Sequence, residues 1–325
     1  MDRHRARGRR ARPSRRTPIL YTLVASAVLV GGTAAGTVYV KAQAHDGPGL
    51  VSSSSASSSA ASASSSTSPA VSEEASVEPV AEPSVDWDAL LAEAMKDVTV
   101  ADTAKLSVAV LDTDSGESAT YGDSAFDTAS IVKVDILATL LLQAQDADRH
   151  LTAQEKTYAT AMIENSDNTS ASALWRIIGK AKGLDAANKR FGLTDTAGGN
   201  DMLWGLTQTT AADQLTLLQQ VFGDDSKLSE SSQTYLQGLM GEIEIDQQWG
   251  VSAAADGSKW ALKNGWLARS TTGLWDINSI GRVTVDGHDY LVATLSNGNS
   301  TQAKGISLVE AAAKAAVAAF ADSQA

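Results

Sequence analysis

Thr128-Ala129-Ser130-Ile131-Val132-Lys133-Val134-Asp135 runs without a break into Ile136-Leu137-Ala138-Thr139-Leu140-Leu141-Leu142. The second half is apolar on every side, the pattern of a helix buried in a core rather than laid on a surface. Ser130 and Lys133 stand three residues apart, so a helix stacks them on one face, one turn from each other. Two readings are open. A serine is a good cap for such a helix, and a lysine's long stem can carry its ammonium past apolar neighbours to water. Alternatively the lysine is held among the leucines, loses its hydration, and its pKa falls until it can take a proton from the hydroxyl beside it. Taken alone the stretch favours the first reading, and the rest of the chain has to decide.

Outward from this helix the pattern alternates in type. Asp86 to Lys96 reads as a short amphipathic helix, Leu106-Ser107-Val108-Ala109-Val110-Leu111 as a strand, Asp114-Ser115-Gly116 as a turn and Ser118-Ala119-Thr120-Tyr121 as its hairpin partner. Helical periodicity then dominates over 128–145, 153–164, 170–179, 183–191, 210–222 and 229–240. Strands return over 259–268, 274–285 and 289–296, and Ile306 to Phe320 closes the chain as an alanine-rich helix. This order predicts an α+β fold: one antiparallel sheet built from both chain ends, with a helical subdomain inserted between them.

The segment before residue 86 belongs to another regime. Eight arginines lie between Arg3 and Arg16, and an almost uncharged run follows from Ile19 to Val40. The expectation is a basic cytoplasmic tail over 1–18, a membrane anchor or signal segment over 19–40, and a flexible Ser/Ala/Pro-rich linker over 41–85. An uncleaved anchor would place 86–325 outside the cell, single-pass with the N-terminus inside. Cleavage at Ala42-Gln43-Ala44 would release it as a secreted protein.

Composition removes several classes of function. The 325 residues contain no cysteine, so disulfides, thiol nucleophiles and lipid-modified cysteines are excluded. No H-E-x-x-H or G-x-S-x-G motif occurs, and no metal or cofactor is called for. His150 and His288 sit in polar, turn-like contexts, poor places for a serine–histidine triad. From Asp86 onward 32 acidic residues face 17 basic ones, a net charge of −15, which argues against nucleic acid as a partner.

Two further stretches bear on Ser130 and Lys133. Glu164-Asn165-Ser166-Asp167-Asn168-Thr169-Ser170 has good helix-capping residues, but it also offers a hydroxyl and an amide for proton relay and substrate orientation. Trp260-Ala261-Leu262-Lys263-Asn264-Gly265-Trp266-Leu267 contains Asn-Gly, a hairpin signal. Turn residues already flank it on both sides, which favours one strand with Gly265 where a ligand can approach the backbone.

In order along the chain these are S-x-x-K, S-D-N and K-x-G, and the domain resembles the superfamily of class A β-lactamases and penicillin-binding proteins, most closely its exported actinobacterial serine-hydrolase branch. The resemblance covers about 86–325. It implies that Ser130 is the nucleophile of an acyl-enzyme and Lys133 its activating base. Ser166 would pass a proton to the leaving nitrogen, Asn168 bind a substrate amide, and Lys263 supply positive field. The backbone N–H groups of Ser130 and Trp266 would form the oxyanion hole, beside Gly265, and a β-lactam or peptidoglycan-derived small molecule would be the substrate.

The departures are as informative. Asn264 stands where the family has threonine, with an amide in place of a hydroxyl for the substrate carboxylate. No glutamate lies between Glu164 and Glu230, the region where class A enzymes carry the base for deacylation. Asp195 and Asp201 are the candidates to replace it, although both read more simply as turn residues beside Gly198-Gly199, and Glu164 as solvent-exposed. The alternative to a working hydrolase is therefore a catalytically impaired wall-binding or sensing module that kept the pocket.

Overall fold

Strand β1 (Lys105–Asp112) is apolar almost throughout because both of its faces are covered. Ala109 and Leu111 belong to the core shared with the inserted helices, Val108 and Val110 to the core shared with the terminal ones, the alternation every strand imposes. The computed structural model describes residues 85–101 and 103–321. The tail, apolar run and linker expected over 1–84 lie outside the described residues. Among the described residues no helix is long and apolar enough to cross a membrane.

β1 pairs antiparallel with β2 (Ser118–Tyr121) on one side and β7 (His288–Asn299) on the other, with Ala109 opposite Ala293. β6 (Trp275–Val285) and β5 (Trp260–Ala268) complete a five-stranded antiparallel sheet in the order β2-β1-β7-β6-β5. Both chain ends thus build one sheet, as the order of patterns predicts, and β5 is left as an edge.

Helices α1 (Trp87–Ala94) and α8 (Gln302–Ala321) cover one face, and Trp87 stacks on Phe320 with ring centroids 4.5 Å apart. The other face carries α2 (Val132–Asp146), α3 (Ala153–Glu164), α4 (Asn168–Ile177), α5 (Lys180–Phe191), α6 (Ala211–Phe222) and α7 (Glu230–Gly241). In α2 only Gln143, Gln145 and Asp146 escape burial, so the all-round apolar sequence marks the central helix of the block. Thr152, Asp167, Thr210 and Ser229 each accept a backbone N–H at the start of α3, α4, α6 and α7, so local capping sets those boundaries.

Two differences from the sequence pattern matter for the site. Phe126–Asp127 (β3) and Gln208–Thr209 (β4) form a two-stranded ladder too short to show a period. It fixes the chain just before Ser130 to the loop after α5, where Thr128 N–H also donates to Thr207 O at 2.9 Å. Ser130 itself lies in a tight turn, Ala129–Ile131, that precedes α2, and Ala129 is held at φ +47°. A non-glycine residue in that left-handed region costs on the order of 1–3 kcal/mol, and here it sits next to a hydroxyl of interest.

Candidate active site

The side chain of Lys133 is fully buried, and its Nζ lies 2.9 Å from Ser130 Oγ, 2.9 Å from Ser166 Oγ, 2.7 Å from Ser166 O and 2.9 Å from Asn168 Oδ1. An ammonium has three hydrogens, so four acceptors exceed what it can donate to. The arrangement equally suits a neutral amine that accepts from one of the two hydroxyls. Trp204 covers the group from the other side, its ring centre 5.1 Å away, with its indole N–H anchored on Ser172 Oγ at 3.1 Å. Among the described residues no carboxylate forms an ion pair with Lys133. Burial, followed by the charge of Lys263, lowers its pKa to about 6, against a smaller opposing effect of Asp167.

The turn carrying Ser166 owes its shape to Asp167, which caps α4 by accepting the N–H of Ser170 at 2.6 Å. Ser166 sits just before that cap with φ +54°, which aims both its hydroxyl and its carbonyl at Lys133. The capping reading and the chemical reading of this stretch are therefore both satisfied, by different residues.

Lys263 is buried on β5, its Nζ 3.1 Å from Asn264 O and 3.5 Å from Gln247 Oε1, and burial lowers its pKa to about 7. Gly265 is where β5 touches the serine turn. A β-carbon there would lie 2.7 Å from Thr128 O and 2.8 Å from Ser130 N, so glycine is required for the approach. Asn278 on β6 holds the same turn, donating to Asp127 O and Thr128 O at 2.9 and 3.1 Å.

The structure thus brings Ser130, Lys133, Ser166 and Asn168 into one hydrogen-bonded group, with Lys263 and Gly265 beside it. Asn264 does not join them. Its side chain is buried, and its Nδ2 donates to Gln247 O at 2.7 Å and to Trp249 O at 2.9 Å instead of meeting the carboxylate of a substrate. The cause is strand alternation, which sends Lys263 and Gly265 to one side and Asn264 and Trp266 to the other. The Trp266 side chain meets Trp249 edge to face, with ring centroids 6.0 Å apart.

The candidate deacylation bases are not among the hydrogen-bond partners of the group. Asp201 is exposed and pairs with Lys180 at 2.5 Å; Asp195 is exposed and accepts from Thr194 Oγ1 at 3.0 Å. Glu164 is half-buried, and desolvation together with Glu242 and Glu244 raises its pKa. His150 is exposed, and His288 meets Asp114 at 2.6 Å. Trp204, Gln247 and Asn278 were not anticipated; the only signal was Met202-Leu203-Trp204, an apolar triplet inside a Gly/Asn/Asp-rich loop.

Comparison with known proteins agrees with this architecture. A family model described as the beta-lactamase enzyme family matches residues 149–320. A protein named as the candidate lipoprotein LppW, in Mycobacterium tuberculosis and Mycobacterium bovis, is 26% identical over 204 residues, 58% of this chain. The match spans 63% of the length of these curated relatives. PBP-A, in a single-substitution variant solved as an acyl-enzyme complex with penicillin G, superposes with a TM-score of 0.62 at 20% identity over 72% of this chain and 97% of its own. The TLA-1 extended-spectrum β-lactamase gives 0.63 at 16% identity over 72% and 98%. A class A representative from Bacteroides cellulosilyticus gives 0.61 at 17% identity over 73% and 97%. At such identities the likeness to these structures is one of fold.

Proposed function

This chain belongs to the beta-lactamase enzyme family, and from that membership we propose that it is an exported serine acyl-transfer enzyme that forms an acyl-enzyme with β-lactams or peptidoglycan-like peptides and releases it slowly. The observation that carries the reading is Lys133 Nζ at 2.9 Å from both Ser130 Oγ and Ser166 Oγ, buried and without a carboxylate partner. With its pKa near 6 the amine is largely neutral at pH 7 and accepts the Ser130 proton as Oγ attacks the carbonyl carbon. The C–O bond forms, the C–N bond breaks, and the proton passes through Ser166 Oγ to the leaving nitrogen. The backbone N–H groups of Ser130 and Trp266 hold the oxyanion, Asn168 orients the acyl amide and Lys263 supplies positive field. No step calls on a metal or cofactor.

Slow release follows from the surroundings of the group. Trp204 covers Lys133, and the two aspartates that could replace the family's glutamate, Asp195 and Asp201, are engaged elsewhere. The domain 86–325 is proposed to stand outside the cell on the 41–85 linker, held by the anchor over 19–40 or freed by cleavage of the leader, with the basic 1–18 inside. The candidate-lipoprotein relatives agree with an exported protein.

The test is the intact mass of the protein over time with a penicillin, beside Ser130→Ala. A lasting adduct absent from the control is expected. Turnover without an adduct would remove slow release, and neither adduct nor turnover would leave the second reading, a binding or sensing module. That reading has its own support in Asn264, whose amide is already occupied.

A further inference from the structure

Resting on the reading of Ser130 as nucleophile, we propose that Asn264 and Gln247 are positioning residues: through the strap of residues 242–249 they hold Lys263 and the Ser166 turn in register with Ser130.

The strap crosses from the end of α7 to the edge strand β5 and is fastened at both ends. At its start Glu244 N–H donates to Glu164 O at 3.0 Å, and Glu244 Oε1 accepts from Asn165 Nδ2 at 2.6 Å. Those two contacts lie immediately before Ser166. At its finish the buried amide of Asn264 donates to the carbonyls of Gln247 and Trp249. Gln247, itself 7% exposed, then places Oε1 3.5 Å from Lys263 Nζ on the other side of the strand. The strap therefore touches both faces of β5 and reaches the Ser166 turn as well.

The exit from the strap is shaped for this fit. Gly250 has φ +82°, and a β-carbon there would stand 2.1 Å from Ser279 Oγ and 3.1 Å from Asn264 Oδ1. Ser279 Oγ in turn accepts the N–H of Val251 at 2.9 Å. Only glycine lets the strap lie this close to β5 and β6. Trp249 then packs against Trp266, so one short segment holds the edge strand at three residues, Lys263, Asn264 and Trp266, on both of its faces.

The exchange of threonine for asparagine in K-x-G is thus a change of job. One amide nitrogen carries two hydrogens and meets two carbonyls, whereas a hydroxyl carries one hydrogen. Asn264→Thr restores the family triplet and releases one end of the strap. Since displacement by about 1 Å costs on the order of a hundredfold in rate, the restored triplet should be the slower enzyme.

Rates of Ser130 acylation by a penicillin, read by intact mass from pH 5 to 9, test this in wild type, Asn264→Thr and Gln247→Leu, with melting curves for each. Both variants are expected to melt as folded proteins and to acylate about ten to a hundred times more slowly. Gln247→Leu also removes an acceptor from the Lys263 ammonium, which then deprotonates more readily and no longer holds Lys133 down. Asp167 is left as the charge acting on Lys133, in the raising direction, so the acid limb of the profile moves to higher pH. A merely structural role would lower the rate without moving that limb.

Asn264→Thr acylating at or above the wild-type rate with an unchanged profile overturns the proposal. If Asn264→Thr does not fold, Gln247→Leu decides, and an unmoved rate and limb overturn it equally. Wild type that reacts with neither a penicillin nor a fluorophosphonate at Ser130 defeats the nucleophile reading first and this one with it.

Discussion

Gly265 lies so close to Ser130 that a β-carbon on the glycine would be 2.8 Å from the serine's backbone nitrogen. The contact joins the edge strand to the turn before α2, at the N–H proposed to bind the oxyanion. Gly265→Ala should push the two apart, cutting acylation by about a hundredfold or more and stability by about 1–3 kcal/mol. Acylation kinetics and urea midpoints check both, and a variant that matches wild type in both would show that the approach is not needed.

Lys133→Ala should separate chemistry from folding. Loss of a general base typically costs about 10²–10⁴ in rate. Its fold should persist, because the pKa lowered to about 6 means that burial disfavours the charge already. Far-UV dichroism and adduct formation with a penicillin report the two properties independently. Undiminished labelling of the alanine variant would remove Lys133 from the mechanism.

The two lysines predict a narrow optimum. Lys133, near 6, must be neutral to take a proton, so acylation rises as pH passes 6. Lys263, near 7, must be charged to supply field, so the rate falls as pH passes 7. The two limbs belong to the interacting pair rather than to either residue alone. A bell centred between them is expected from single-turnover rates. A rate that climbs monotonically to pH 9 would show that the charge on Lys263 is dispensable.

Asp135, two residues beyond Lys133 and fully buried, makes the opposite kind of prediction. Burial, reinforced by Asp185 and Asp213 and opposed by Asn188 and Thr139, raises its pKa to about 7. The folded protein thus keeps a proton that the unfolded chain gives up near the ordinary carboxylate value. Its contribution to stability is full below that value and is lost as pH rises through 7. Asn188 Nδ2 donates to Asp135 Oδ2 at 3.0 Å, and an amide in place of the carboxyl suits the same neighbour. Asp135→Asn should therefore gain about 2–4 kcal/mol at pH 8 and little near pH 4. An equal effect at both pH values would show that Asp135 is not the group that titrates.

Much of this was legible from periodicity and end signals. Ser118–Tyr121 and Ala153–Glu164 fall where the hairpin pattern and the helical periodicity place them, because both signals act over a few residues. Grouping Ser130, Lys133, Ser166, Asn168 and Lys263 required motif order, which reports a fold rather than a local propensity. The partners of the Asn264 amide, the carbonyls of Gln247 and Trp249, are not legible in the sequence. Both lie outside any local window around Asn264, and the family triplet alone says nothing of them. Trp204 over Lys133 and Asn278 under the serine turn were hidden for the same reason. The left-handed Ala129 has no sequence signature, since its conformation is imposed by β3, β4 and β5 around it.

The sheet order β2-β1-β7-β6-β5 has a consequence for biogenesis. Lys105 finds its partner in Asn297, so a chain emerging N-terminus first holds β1 half-paired until nearly all of the domain has been made. Ser130 waits too, because the glycine and asparagine that seat its turn arrive with β5 and β6. Such long-range closure slows folding and exposes unpaired edges while it lasts. A chain cut short before β5 would carry Ser130 and Lys133 but neither Lys263 nor the Gly265 and Asn278 contacts that seat the serine turn.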